Sequence, residues 1–151
     1  MARVMGLDVG SRRVGVAFSD TTHGIATPYA TISHRGVRGL VADLVALCRA
    51  EQVTRVVIGI PWQADDTAGS AARLPNRVAQ EMRTAGYPVD LWDERDTSTS
   101  ARRLLAGNVP ERRARAKGMV DRIAAALILQ SYLEAARSPG PDGVPPRVRR
   151  G

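Results

Sequence analysis

The first twenty residues constrain this chain more than any other stretch. Arg3 to Val9 and Arg13 to Ser19 read as two strands joined by a tight turn through Gly10, Ser11 and Arg12. Side chains alternate across a strand, so Met5, Leu7 and Val9 share one face while Gly6, Asp8 and Gly10 share the other. The same alternation in the returning run separates Val14, Val16 and Phe18 from Gly15, Ala17 and Ser19. The hairpin therefore has one bulky face fit for a core and one nearly bare face that carries a single carboxylate, Asp8. A carboxylate flanked by glycines leaves room for a cation and a phosphate to approach the backbone. It could equally satisfy turn amides around Gly10 and Ser11.

Downstream, Ala26 to Ser33 carries Pro28 and alternating Tyr29, Thr31 and Ser33, which predicts a third strand near a sheet edge. Val37, Leu40, Val41, Leu44, Val45 and Cys48 recur at helical spacing through about Glu51 and predict an amphipathic helix. Val53 to Ile60 is almost wholly apolar, the pattern of a strand buried on both faces. Residues 62 to 69 read as a polar loop, and 70 to 85 as a helix in which Pro75 marks a late start or a kink. Pro88 to Glu94 is a second buried strand running out into Asp93 and Glu94. A helix is predicted over 97 to 106, Glu111 to Lys117 reads as a basic loop, and Gly118 opens a last helix to about Ala136. Residues 1–137 form one α/β domain, a mixed sheet flanked by helices. The Pro-, Gly- and Arg-rich residues 138–151 are expected to be a disordered basic tail.

The charge balance points to an anionic partner. Net charge is +7, and of the 22 basic residues only Lys117 is lysine. Arginine's fork binds phosphate and stays charged when partly desolvated, which favours nucleic acid. With 4% aromatic residues, the chain lacks the stacking platform of nonspecific single-strand binders. No apolar run approaches the roughly 20 residues of a membrane span, so no membrane partner and a cytoplasmic location are expected. Cys48 lies on the apolar stripe of its helix and reads as a buried, inert thiol; His23 and His34 read as incidental loop or edge residues.

Three acids stand out by position: Asp8 on the first strand, Glu94 at the end of the last buried strand, and Asp121 in the final helix, on a face with Ala124, Ala125 and Ile128. Each alone has a simple structural reading, Asp121 as an acid complementing a helix N-terminus among them. Together they suit hard divalent cations, and a two-metal phosphodiester site needs several acids holding ions about 4 Å apart. Arg12, Arg13 and Arg95 lie beside these acids in sequence or across the first turn, where they could clamp phosphate. Arg112, Arg113, Arg115 and Lys117 precede Asp121 and are the stronger candidates for gripping a nucleic-acid backbone. Thr97 and Ser98 suit the cap of the helix after Glu94.

The motifs Asp8-Val9-Gly10-Ser11 with Val14-Gly15-Val16-Ala17, Ile58-Gly59-Ile60-Pro61, Asp93-Glu94-Arg95 with Thr97 and Ser98, and Lys117 to Asp121 with Ala124 and Ala125 occur in order. In this the sequence resembles the YqgF family, also called RuvX, over roughly residues 3 to 134. The resemblance implies a ribonuclease H-like fold with a mixed five-stranded sheet, related to the RuvC Holliday junction resolvase. It implies Asp8, Glu94 and Asp121 as catalytic, metal-binding acids, with Mg²⁺ or Mn²⁺ as cofactor. It also implies a nuclease that processes the 5′ end of pre-16S ribosomal RNA in ribosome biogenesis. Resolution of branched DNA in recombination and repair, which needs a homodimer, and noncatalytic nucleic-acid binding are the alternatives. Asp96 and Asp66 depart from the family pattern, which bears on local loop packing and substrate contacts rather than on the three acids. An actin-like or sugar-kinase ATPase also uses an Asp-x-Gly turn but needs two lobes, for which 151 residues leave no room.

Overall fold

The computed structural model describes residues 3–20, 24–60, 72–93, 113–136 and 148–149. β1 (Arg3–Val9) and β2 (Arg13–Ser19) form the expected hairpin, followed by β3 (Ala26–Ser33), α1 (Val37–Ala50), β4 (Val53–Ile60), α2 (Arg73–Thr84), β5 (Val89–Asp93), α3 (Arg113–Ala136) and β6 (Val148–Arg149). The sheet order is β3-β2-β1-β4-β5-β6. β1 pairs antiparallel with β2 and parallel with β4, and β4 pairs parallel with β5. The five expected strands are all present in a mixed sheet. A two-residue sixth, β6, lies antiparallel to β5 opposite Leu91 and Trp92. Val148 and Arg149 of the expected tail thus belong to the sheet; the rest of 138–151 lies outside the described residues.

The two faces of the hairpin dictate two cores. Leu40, Leu44 and Cys48, spaced one turn apart on α1, join Val78, Ala79 and Met82 of α2. Both helices cover the bulky face formed by Met5, Leu7, Val14, Val16, Ile58 and Ile60. The bare face takes α3 instead. Ala125, Ile128, Leu129 and Tyr132 pack there on Ala17, Val57 and Trp92. The approach is close: a Cβ on Gly6 would stand 2.7 Å from Leu129 Cβ, and one on Gly15 would stand 1.8 Å from the backbone oxygen of Asp121. No side chain longer than hydrogen fits at Gly15 while α3 keeps its seat.

α3 corrects one expectation. It begins at Arg113, so Arg113 to Lys117 are helical rather than loop, and Gly118 lies inside the helix. Arginine, alanine and lysine are strong helix formers, and their run outweighs one glycine, whose usual cost is about 1 kcal/mol. Gly118 is set against the sheet edge, where its carbonyl accepts a 2.5 Å hydrogen bond from Thr31 Oγ1. Asp121 therefore sits in the body of the helix, and the reading of it as a complement to the positive helix end does not hold. At its other end α3 is pinned by Gln130, whose Oε1 accepts from Ala26 N at 2.8 Å and whose Nε2 donates to Gly24 O at 3.2 Å. Two residues beyond Gln130, Tyr132 Oη donates to the buried carboxylate of Asp90 at 2.5 Å, and Arg55 Nη1 donates to the same carboxylate at 3.0 Å, which offsets its desolvation. Pro75 falls in the first turn of α2, as a late start requires. The predicted loop over 62–69 and helix over 97–106 lie outside the described residues.

Cys48 is buried, and that burial pushes its thiol from 9.0 up to about 11. A thiol-reactive dye at pH 8 is expected to label the protein only after denaturant is added; fast labelling of the native protein would contradict the burial. Because the folded value lies above the unfolded one, the thiol's contribution to stability is complete below about pH 9. It fades as pH rises through about 11. Two glycine substitutions test the packing. Gly15→Ala is expected to lower stability by about 3 kcal/mol, since a helix backbone must move. Gly39→Ala, on α1 with nothing within 4 Å of its Cβ, is expected to raise it by about 0.5–1 kcal/mol in urea unfolding.

Candidate active site

Asp8 and Gly15 are direct cross-strand partners in the hairpin. Partners across an antiparallel ladder point to the same side, so the Asp8 side chain shares the α3 face with bare Gly15. The backbone of Asp121 rests against that same glycine. Two acids 113 positions apart in sequence thus meet over one residue without a side chain. The Asp121 carboxylate accepts a hydrogen bond from Arg13 Nε at 2.8 Å, an ion pair whose carboxylate is 19% exposed. Arg13 opens β2 two positions before Gly15 and lies on the same face, which is why it reaches Asp121 across the strand.

β5 brings the chain to the same end of the sheet. Leu7 is level with Ile58 on β4, and Ile58 with Leu91 on β5, so the C-terminal ends of these three strands stand side by side. β1 and β5 are two strand spacings apart, about 10 Å. Asp93 ends β5. Glu94 and Arg95, which follow it, and Arg112 lie outside the described residues. Arg113, Arg115 and Lys117 occupy the opening turns of α3 on the approach to Asp121. Arg12 is exposed in the turn between β1 and β2. Among the described residues no group of three His, Cys, Asp or Glu side chains surrounds a common point.

His34 has a larger part than its sequence context suggested. Its backbone N–H donates to Arg12 O at 2.9 Å, and its ring Nε2 donates to Gly10 O at 2.9 Å. Together these bonds tie the end of β3 to the β1–β2 turn that follows Asp8. Donation from Nε2 fixes the tautomer and leaves Nδ1 buried without a partner among the described residues. The Arg13–Asp121 pair and the His34 strut had no local signal in the sequence, because each joins residues that only the fold makes neighbours.

The ligating groups that Asp8 and Asp121 offer are carboxylate oxygens. The Arg13 guanidinium already places positive charge on Asp121 Oδ2, so the geometry accepts a cationic neighbour at that oxygen. Carboxylate oxygens are the donors that Mg²⁺ and Mn²⁺ prefer.

A family model described as "RuvX: Holliday junction resolvase" matches residues 2–135. This chain belongs to the RuvX family. RuvX is a family of nucleases, so the protein is an enzyme of the phosphodiester hydrolase class. A relative from Chloroflexus aurantiacus, named "Putative pre-16S rRNA nuclease", is 39% identical over 89% of this chain and 88% of its own. A protein of the same name from Mycobacterium leprae is 41% identical over 92% of this chain and 76% of its own. Among solved structures, Thermus thermophilus RuvC superposes with a TM-score of 0.55 at 14% identity, covering 90% of this chain and 96% of that one. A fowlpox virus resolvase in complex with Holliday junction DNA gives 0.51 at 13% identity over 87% and 97%. These likenesses establish the ribonuclease H-like fold of the RuvX chain.

Replacing His34 by Ala is expected to loosen the turn after Asp8 while leaving the sheet intact. Amide hydrogen exchange at Ser11 to Arg13 should speed up, and global stability should fall by about 1 kcal/mol, the loss of one hydrogen bond. Unchanged exchange in the turn would show that His34 does not hold it.

Proposed function

We propose that this RuvX protein is a divalent-metal-dependent endonuclease acting on structured nucleic acid, with the 5′ end of pre-16S ribosomal RNA as its substrate. The observation that carries the reading is the meeting of Asp8 and Asp121 beside Gly15. An acid pair on a bare strand face, close to the phosphate-binding charge of Arg13, suits hydrolysis of a phosphodiester better than simple binding. Placing carboxylates beside phosphate weakens a mere binder. The names of the curated relatives favour ribosomal RNA.

Asp8, Asp121 and Glu94 would hold the metal. When bound, Mg²⁺ or Mn²⁺ supplies a water of lowered pKa and charge neutralisation at the phosphate. The chain's own residues do the positioning. Gly15 lets the backbone of Asp121 come down beside the strand position opposite Asp8, since any larger residue would push α3 outward. Arg13 balances Asp121 in the free protein, and its half-exposed guanidinium would turn to a phosphate oxygen were that carboxylate to hold a metal. Arg12, Arg95, Arg112, Arg113, Arg115 and Lys117 would add sequence-independent grip on the backbone. His34 serves no general-base role here: its Nε2 N–H is bonded to Gly10 O, and its basic Nδ1 is buried away from solvent.

The family description favours a second reading, resolution of a four-way DNA junction. That reaction needs two symmetric nicks and hence a two-fold dimer, whereas trimming one RNA end does not.

Asp8→Asn and Asp121→Asn are each expected to reduce Mn²⁺-dependent cleavage of precursor ribosomal RNA by about a hundredfold or more while leaving RNA binding intact, and EDTA should abolish cleavage. Preferred cutting of a four-way junction by a dimer would shift the substrate to DNA. Full activity of both variants, or tight binding with no cleavage under any metal, would remove the nuclease reading for these acids.

A further inference from the structure

We propose that the cleft between the β1–β2 turn, the end of β3 and the first turn of α1 is a second binding surface, a groove for the nucleic-acid strand that leaves the acid site. The inference rests on the nuclease reading and extends it to residues on the other side of the turn. The cleft has a volume of about 1190 Å³. That exceeds the roughly 300–1,000 Å³ of small-molecule pockets, and it opens to solvent as a path for a polymer must.

Its chemistry is one-sided. Arg12, Arg13, Arg35 and Arg38 line it, against a single acid, Asp43. Arg12, Arg35 and Arg38 are exposed, and among the described residues none of the three is in an ion pair. Three exposed guanidinium groups around one concavity give it a positive potential that draws an anion. The floor is different: the half-buried Val37 and Leu74 form its apolar base. A strand with regularly spaced phosphates and flat, weakly polar bases matches both parts. Its phosphates meet the rim and its bases or sugars rest on the floor. An acidic peptide would satisfy the rim but has less to set against Val37 and Leu74.

Arg13 joins the groove to the acids. The residue borders the cleft, while its side chain turns to the α3 face and binds Asp121. A backbone crossing the β1–β2 turn therefore passes from the acid face into the cleft without leaving positive charge. The His34 bond to Gly10 fixes the wall between the two.

The test uses the full chain with Arg35→Ala and Arg38→Ala combined, both exposed and outside the acid site. Affinity for labelled precursor RNA and for a four-way DNA junction is measured across a salt series, alongside KM and kcat in Mn²⁺. Removing two phosphate contacts should lower the slope of log affinity against log salt by about 1.4 on single strands and 1.8 on duplex. Affinity should fall and KM rise by about tenfold at moderate salt, with kcat preserved. The control Arg77→Ala, an exposed residue of α2 outside the cleft, should leave the slope unchanged, and Arg35→Lys with Arg38→Lys should restore most of it. An unaltered slope and KM in an active enzyme would overturn the groove while leaving the nuclease reading intact. Loss of kcat with unchanged KM would also overturn it, as would weaker binding of polyglutamate with unchanged binding of RNA and DNA. A wild-type protein that binds and cuts neither nucleic acid would overturn both readings together.

Discussion

The contact on which the architecture depends is the backbone of α3 resting on Gly15. A helix normally stands off a sheet by the length of the interdigitating side chains, about 10 Å between layers. Here hydrogen replaces the side chain at Gly6 and Gly15, and a methyl does so at Ala17, so the helix backbone descends until the Asp121 carbonyl meets the strand. This descent turns an acid on a helix into a neighbour of an acid on a strand. The larger residues of α3, Ile128, Leu129 and Tyr132, anchor it further along, over Val57 and Trp92. The hydrogen bonds of Thr31 and Gln130 prevent it from sliding along its axis.

A partly buried carboxylate has an electrostatic cost, which the fold offsets locally at Asp121. Arg13 supplies the counter-charge to Asp121, and being at the mouth of the strand it is 43% exposed and thus exchangeable. Asp90 shows the opposite design. It is 4% exposed and locked by Arg55 and Tyr132 on the same face of the sheet. One acid is held permanently by structural partners, the other by a partner that can leave. Only the second kind is available to a ligand.

The surface around the acids follows the same division. Arg12 and Arg13 stand at the end of the sheet where β1, β4 and β5 finish, the end at which ligands gather in open α/β sheets. At the other end Arg3 is tied to Glu51 and faces the Phe18 ring. The net charge of +7 is therefore less informative than where the unpaired part of it lies. No helix among the described residues is long and apolar enough to cross a membrane.

The sequence by itself determined the hairpin with its two unlike faces, the edge position of β3, the buried β4 and β5, the stripe of α1 and the three candidate acids. These are local matters, set by alternation, helical spacing and turn residues, and the motifs in order carried the family resemblance. The start of α3 was misread because Gly118 looks like a boundary when its seat against Thr31 is unseen. The pairing of β6 with β5, the Arg13–Asp121 ion pair, the His34 strut and the cleft beneath Arg35 and Arg38 all join segments far apart in the chain. Only tertiary structure decides these, because the energy of such a contact depends on a distance that nothing short of the complete packing of sheet and helices fixes.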